Sequence, residues 1–193
     1  MMGARRGRTR AAGPGVIPTP PDSPIPKLMK NQNEFLHTWL RDAHAMETNL
    51  ESMLKKQADR FDDAPLRARI AAHAEETRRH AEKIERCLES LGESTSAFKE
   101  AMAKLTGKSS PVVMSANDDE PVKVCLTCIA AEHFEIACYR SLQAAAVECG
   151  EPAVSQIAEE ILREEESMAK FLEENLTRIT RSFLQQQGQA VRR

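Results

Sequence analysis

Residues 66–91 carry a stripe with the period of an amphipathic helix, yet ionisable side chains occupy the middle of that stripe. The stripe positions alternate between four and three residues apart and hold Leu66, Ile70, His73, Thr77, His80, Ile84, Cys87 and Leu91. A helix with such a stripe buries it against other elements, and a buried unpaired charge is strongly destabilising. The pattern therefore predicts a helical bundle whose core contains a polar site, and a metal ion would satisfy such groups.

Composition agrees with an all-α protein and excludes several classes of partner. Aromatic residues make up 4% of the 193 residues and hydrophobic residues 41%, a balance that favours helices over sheets. The net charge of -2 does not indicate a specific nucleic-acid partner. The chain contains no apolar run of about 18 residues, so no membrane partner is predicted. Five cysteines, an odd number without a secretory signal, predict reduced thiols and a cytoplasmic location.

The 3.6-residue periodicity predicts four long helices, at Asn33–Asp59, Asp63–Leu91, Glu120–Cys149 and Pro152–Gln186. Asp62 or Asp63 is expected to cap the second helix, with Pro65 in its first turn and Gly92 at its end. The connections between helices 1 and 2 and between helices 3 and 4 are very short, which predicts two antiparallel hairpins. The segment between helices 2 and 3 is long enough to run the length of a bundle, and this long crossover is typical of ferritin-like four-helix bundles.

Charge and composition divide the chain into a bundle with two tails. Residues 1–30 are rich in Arg, Gly and Pro and carry a net charge of +5, so the remainder carries -7. These features predict a disordered basic tail at 1–30, a bundle at 31–186 and a flexible tail at 187–193. One short amphipathic segment, Ser96–Leu105, is predicted within the crossover.

Each predicted helix has a carboxylate near the middle of its stripe. These are Glu47 on helix 1, Glu76 beside His80 on helix 2, Glu132 and Glu135 on helix 3, and Glu164 or Glu165 on helix 4. A ferritin-like dimetal site uses a Glu from each of two helices and a Glu–His pair from each of the other two. Oxygen-rich ligands with one or two imidazoles suit iron or manganese better than zinc. The alternative is a layer of inter-helix salt bridges made with Arg41, Arg69, Arg78 or Arg79.

Four segments carry a resemblance to a known family. They are residues 40–47 (LRDAHAME), 73–80 (HAEETRRH), 132–137 (EHFEIA) and 164–166 (EEE), and they resemble the YciE/YciF-type ferritin-like proteins, a bacterial, stress-associated family, over residues 34–184. The resemblance implies a four-helix bundle, a homodimer, and a dinuclear metal site at Glu47, Glu76, His80, Glu132, Glu135 and either Glu164 or Glu165. Helix 4 departs from the pattern because Ser167 and Met168 follow these glutamates where a His would be expected.

Three further features have two interpretations each. His73 is an alternative ligand or a partner of one, although a hydrogen-bonded core histidine is the favoured interpretation. Cys125 and Cys128 form a single Cys-x-x-Cys, which is half a zinc site, and they are interpreted as small core residues. Tyr139 lies one turn from Glu135, and a packed aromatic with a solvated hydroxyl is favoured over a radical or electron relay.

Two functional hypotheses follow from the sequence. The first is a metal-binding protein, with a dinuclear iron site and manganese as the second choice, that protects against oxidative or general stress. The second is a non-catalytic interaction bundle whose carboxylates bind a structural metal or none. The sequence identifies no catalytic residue and does not decide whether the protein is an enzyme.

Overall fold

The computed structural model describes residues 24–94 and 121–190, with side chains described for 32–94 and 121–188. These residues form four helices, α1 (Pro24–Ala58), α2 (Ala64–Ser90), α3 (Pro121–Cys149) and α4 (Pro152–Ala190). The all-α class and the number of long helices are therefore confirmed. Within the described ranges, no helix is both long and apolar enough to cross a bilayer.

The ends of α2 follow from its terminal residues. Asp63 is the N-cap, and its carboxylate accepts a hydrogen bond of 2.9 Å from the amide of Leu66. Pro65 sits in the first turn, where its missing amide hydrogen is not needed. Gly92 has φ 85° and Gly150 has φ 75°, the left-handed conformation that ends a helix and that glycine adopts without strain. The predicted cap and stop signals of α2 are confirmed.

Replacement of the cap provides a stability test. We expect Asp63→Ala to lower the free energy of unfolding by about 1–2 kcal/mol, because the Leu66 amide loses its acceptor. Asp63 also accepts a hydrogen bond from Arg178 of α4, so the substitution would also remove this contact with α4. Urea denaturation measures the change. The exposed Asp62→Ala is the matched control, and an equal effect of the two substitutions would contradict the capping role.

Two predicted helix ends are wrong by several residues. Helix α1 begins at Pro24 rather than near Asn33, and α4 continues to Ala190 rather than ending near Gln186. The prolines at 24 and 26 fall in the first turn of α1, where proline is compatible with a helix, so they do not delay its start. The remainder of the predicted basic tail, the last three residues of the chain and the Ser96–Leu105 segment lie outside the described residues.

Two apolar clusters, one at each end of the bundle, establish the topology. The upper cluster joins the start of α1, the end of α2, the end of α3 and the start of α4, and includes Leu36, Leu40, Ile84, Leu88, Leu142, Ala146, Val154 and Ala158. The lower cluster joins the opposite helix ends and includes Leu54, Ala58, Leu66, Ile70, Val124, Cys128, Met168 and Leu172. Helix α2 therefore ends at the upper end, whereas α3 begins at the lower end. The long crossover and the ferritin-like arrangement are confirmed.

Helix packing fixes which helices face one another. Helix α1 packs on α2 and α3, and α4 packs on α3 and α2, so each helix has two neighbours around a central axis. Glu47 of α1 is buried, and among the predicted stripe residues of helix 2 only Leu91, which directly follows α2, is partly exposed. The mid-stripe residues of all four helices consequently meet between the two apolar clusters.

Candidate metal centre

Seven polar side chains are buried between the upper and lower clusters. Their relative exposure is 2% or less, and they are Glu47, His73, Thr77, His80, Glu132, Glu135 and Glu165. All four helices contribute, because these residues continue the apolar stripes. The hydroxyl of Thr77 bonds to the carbonyl of His73 within its own helix. The remaining six form a buried layer of four carboxylates and two imidazoles.

The six residues include two overlapping groups with the spacing of metal ligands. One group is Glu47, His80 and Glu165, and the other is His73, Glu132 and Glu165; in each, one ligand atom per residue lies within 4.8 Å of the others. His80 Nδ1 lies 2.8 Å from Glu165 Oε1 and 3.6 Å from Glu47 Oε2. His73 Nε2 lies 3.3 Å from both Glu132 Oε2 and Glu165 Oε2. Glu165 is therefore shared, with one oxygen turned to each group.

Glu135 interacts electrostatically with carboxylates of both groups. Burial raises the pKa of Glu135 well above its usual value, and the charges of Glu165, Glu47 and Glu132 raise it further. Its Oε1 atom is buried and has no hydrogen-bond partner. Glu135 thus adds a fourth carboxylate to a compact cluster.

The outward nitrogen of each histidine is held by a carboxylate at the protein surface. His73 Nδ1 lies 2.8 Å from Glu76 Oε2, which also accepts a hydrogen bond of 2.9 Å from Arg69. His80 Nε2 lies 2.8 Å from Glu164 Oε2. Such contacts fix the ring orientation and leave a lone pair of the inner nitrogen directed into the site when the outer nitrogen carries the proton.

The inward atoms of this layer make no hydrogen bond of good geometry, although all but Glu135 Oε1 lie within 4 Å of an oppositely charged atom. They are Glu47 Oε2, His73 Nε2, His80 Nδ1, Glu132 Oε2, Glu135 Oε1 and both oxygens of Glu165. Buried polar atoms without a hydrogen bond are rare in native proteins and need an explanation. Seven such atoms converging on one region match the donor set of a bound cation.

Electrostatics in the metal-free protein reflect crowding of negative charge. Burial favours the neutral imidazole, but the carboxylates of Glu165 and Glu47 outweigh it and raise the pKa of His80 to about 10. Burial raises the pKa of Glu132 to about 7, despite contact with His73. Burial likewise disfavours the charged form of Glu165, but His73 and His80 lower its pKa to about 2. Without a metal, protons on the histidines thus balance part of the carboxylate charge.

Tyr139 closes the layer on the side where α1 faces α3. Its side chain is fully buried, and its hydroxyl donates a hydrogen bond to Glu47 Oε1. This bond occupies one oxygen of Glu47 and leaves Oε2 facing His80. The interpretation of Tyr139 as a packed aromatic is confirmed, but the expected solvated hydroxyl is wrong, because the hydroxyl is buried and bonded to Glu47.

The Tyr139–Glu47 contact predicts a measurable coupling energy. We expect Tyr139→Phe to destabilise the metal-free protein by about 1–3 kcal/mol, because the ring is retained while Glu47 loses its buried donor. A double-mutant cycle with Glu47→Leu isolates the hydroxyl–carboxylate interaction. The expected coupling is above about 1 kcal/mol, and additive effects would show that the contact contributes little.

The structure separates the sequence-predicted residues into two sets. Glu47, His80, Glu132, Glu135 and Glu165 converge in the buried layer, whereas Glu76 and Glu164 lie at its rim, with side chains 24% and 40% exposed. His73 is a buried histidine bonded to Glu76, as the favoured interpretation expected, and its Nε2 also faces Glu132 and Glu165, as the alternative of a ligand requires. Its place on the stripe one heptad before His80 was the available signal.

The arginines considered for a salt-bridge layer contact carboxylates outside the buried layer. Arg41 bonds to Glu93, and Arg69 bonds to Glu76 at the rim. Arg78 pairs with Glu75 and Glu82 on the exposed face of α2, and Arg79 is exposed. These contacts leave the inner carboxylates facing the two histidines.

Comparison with known proteins finds relatives along most of the chain. The family known as domain of unknown function DUF892 matches residues 31–185. Protein YciF of Escherichia coli is 30% identical over 142 residues, which cover 70% of this chain and 84% of that protein. A solved structure from Xanthomonas campestris pv. campestris has a TM-score of 0.65 and 36% identity, covering 82% of this chain and 99% of that one.

Two further solved structures share the fold. The E. coli stress protein YciF has a TM-score of 0.60 at 23% identity, covering 78% of this chain and 97% of that one. Bacterioferritin of Desulfovibrio desulfuricans, described as having a diiron site, has a TM-score of 0.62 at 19% identity, covering 79% of this chain and 84% of that one. At these identities, the two structures support the ferritin-like fold alone.

Proposed function

Since this chain belongs to the DUF892 family of YciF-like, ferritin-like proteins, we propose that it binds two divalent metal ions in the buried layer between its apolar clusters. One ion would be held by Glu47, His80 and Glu165, and the other by His73, Glu132 and Glu165. Glu165 would serve both ions, and Glu135 would add a further oxygen. The observation that carries the proposal is the convergence of seven buried ligand atoms that make no hydrogen bond.

Charge balance and ligand chemistry support a dinuclear site. Four carboxylates supply four negative charges, which two divalent ions neutralise, and two neutral histidines complete the set. This is the ligand inventory of ferritin-like dimetal sites, although here both imidazoles come from α2, two turns apart. The second imidazole at His73 compensates for Met168 on α4, where a His would be expected.

Iron is the proposed metal, with manganese as the second choice. Carboxylate-rich sites with imidazole favour these ions by ligand type. A bound iron pair would supply electrons to dioxygen or a hydroperoxide. The chain's own residues would orient the ligands: Glu76 and Glu164 hold the outer histidine nitrogens, and Tyr139 holds Glu47.

The proposal extends to a role in protection against stress. The E. coli relative is described as a stress protein, and removal of reactive iron or of peroxide would suit such a role.

The proposal includes a cytoplasmic location, supported by the five free thiols, all of which lie in the described part of the chain. It also includes a homodimer, supported by the exposed Phe35 and Trp39 on α1, and light scattering of the purified protein tests it.

A non-catalytic bundle with a structural metal is the second candidate. The six ligand residues are at most 2% exposed, and so complete a burial favours a closed structural site.

Anaerobic Fe(II) titration monitored by thermal denaturation tests metal binding, because a ligand that binds only the folded state raises the Tm. Subsequent addition of dioxygen or peroxide separates the two candidates. Rapid oxidation of the bound iron supports the first, and its persistence as Fe(II) supports the second.

Metal binding is expected to release protons and to strengthen as pH rises. In the metal-free protein the pKa of His73 is raised and that of His80 is raised to about 10, so both rings carry protons near neutral pH. Each must lose a proton before its inner nitrogen can bind a cation. We expect about two or more protons released per chain at pH 7, measured with an indicator dye during Mn(II) titration. Affinity independent of pH between 6 and 8 would contradict the involvement of the histidines.

A further inference from the structure

The wall of the bundle between α2 and α4 connects the buried layer with the protein surface. Of the four neighbouring helix pairs, α2 and α4 approach each other least closely. Both histidines of the layer come from α2, and the outward nitrogen of each ring contacts a partly exposed carboxylate on this wall. A single imidazole ring therefore separates each surface carboxylate from the inner ligand atoms.

The other sides of the layer are more firmly closed. Apolar clusters fill the bundle above and below it. The fully buried ring of Tyr139 lies where α1 faces α3, and its hydroxyl bonds to Glu47. The two hairpins, α1 with α2 and α3 with α4, are the most closely packed helix pairs. A cation from solvent thus meets the least packed protein between α2 and α4.

The rim of this wall at His73 carries a firmly held positive charge. Glu76, which contacts His73, accepts a hydrogen bond of 2.9 Å from Arg69. The guanidinium of Arg69 also lies 6.0 Å from the centroid of the Phe171 ring, within the range of a cation–π contact. Two favourable contacts hold this guanidinium in place, and its charge repels an approaching cation.

The rim at His80 is more open and more negative. Glu164 Oε2 lies 2.8 Å from His80 Nε2, and the side chain of Glu164 is 40% exposed. Lys83 Nζ lies 3.7 Å from Glu164 Oε1 and 3.7 Å from Glu160 Oε2, which is beyond the usual length of a hydrogen bond. One ammonium is therefore loosely held between two surface carboxylates, directly outside His80.

Buried ligand atoms lie immediately behind this rim. His80 is 0% exposed, and its Nδ1 atom makes no hydrogen bond of good geometry. That atom lies 2.8 Å from Glu165 Oε1 and 3.6 Å from Glu47 Oε2. The side chains of Glu164, His80 and Glu165 thus form a continuous series of contacts from the surface to the carboxylate that both ligand groups share.

We propose that divalent cations enter the buried layer at the His80 rim, with Glu160, Glu164 and Lys83 as the entry residues. The inference rests on the proposed metal centre and adds the route by which it is filled. Two carboxylates attract a divalent cation more strongly than an ammonium, because the divalent cation carries twice the charge. The arriving cation displaces the Lys83 ammonium, whose flexible stem lets it move into solvent. Glu164 then holds the cation next to His80.

Substitutions of the two outer entry residues should change the rate of metal uptake in opposite directions. Lys83→Gln removes the competing ammonium, and we expect Mn(II) uptake to become roughly three- to thirty-fold faster. Glu160→Gln removes an attracting carboxylate, and we expect uptake to become slower by a similar factor. Both substitutions break the same contact between Lys83 and Glu160, so a purely structural effect would change both rates in the same direction.

Stopped-flow mixing of the full chain with Mn(II) measures the rate, with a fluorescent indicator that reports free Mn(II). Arg140→Gln and Glu166→Gln are the matched controls. They make the same changes of charge in an exposed ion pair between α3 and α4, and Glu166 directly follows Glu165 in the chain. Because charges on this other wall are screened from the entry route, we expect their rates to stay within about two-fold of the wild-type rate.

The outcomes separate the entry route from the metal centre itself. Wild-type uptake rates in both Lys83→Gln and Glu160→Gln would overturn the route, and the metal centre would stand because Mn(II) still binds. Effects of the two control substitutions as large as those at the His80 rim would also overturn it. Faster uptake in Arg69→Gln but not in Lys83→Gln would place entry at the His73 rim instead. No binding of Mn(II) by the wild-type chain would overturn both proposals.

Discussion

Glu165→Gln is expected to remove both metal ions at once. Glu165 is the only residue that belongs to both ligand groups, and each of its oxygens faces a different histidine. Gln keeps the shape of the side chain but replaces one oxygen by an amide and removes the charge. We expect metal affinity to fall by more than about 100-fold at both positions, beyond the effect of losing an outer hydrogen bond.

The metal-free variant should also be less stable. His73 and His80 would lose the carboxylate that both contact, and breaking a buried ion pair costs about 3–5 kcal/mol. Metal content and urea denaturation measure the two effects separately. Glu166→Gln, on the next residue of α4 and paired with Arg140 at the surface, is the matched control. Two metal ions retained in Glu165→Gln would contradict the shared role.

His73→Gln is expected to leave one metal ion per chain instead of two. His73 belongs to one ligand group and His80 to the other, so each substitution should empty one position. Elemental analysis of each single variant and of the double variant measures the stoichiometry, which should fall from two to one and then to none. The exposed His133→Gln on α3, paired with Glu173, is the control.

The result for His73 is the sharper test of the ligand set. The sequence pattern alone pairs His80 with Glu76. It therefore predicts that Glu76→Gln removes one metal ion and that His73→Gln has little effect on metal binding. The geometry predicts the opposite, that His73→Gln has the larger effect. Glu76→Gln should weaken metal affinity by only roughly 10–100-fold, because Glu76 orients the His73 ring. Full occupancy in His73→Gln would contradict the two-group arrangement.

The fold could be predicted from the sequence because helical periodicity and connection lengths are local properties of the chain. The cap at Asp63, the stop at Gly92 and the long crossover all followed from residues close to one another in the chain. The existence of a polar layer also followed, since Glu47, His80 and Glu135 interrupt otherwise apolar stripes.

The division between inner residues and rim residues could be predicted from spacing only in part. The stripe of α2 contains His73 and not Glu76, so periodicity indicated the inner residue there, and the choice of Glu76 came from the expected Glu–His ligand pair. Glu164 and Glu165 differ by one position, about 100° around the helix, and either fits the pattern. The rotation of α4 against its neighbours decides that case, and the rotation depends on packing in the two apolar clusters. The contact of Tyr139 with Glu47 joins residues 92 positions apart and has no local signal.

The most direct test of the account is the number of metal ions bound per chain. The full-length protein is loaded with Fe(II) under anaerobic conditions, desalted, and analysed for iron and protein. The arrangement of Glu47, His73, His80, Glu132, Glu135 and Glu165 predicts about two irons per chain. A metal-free chain after loading, with manganese also failing to bind, would contradict the metal centre and leave a buried cluster of carboxylates and protonated histidines.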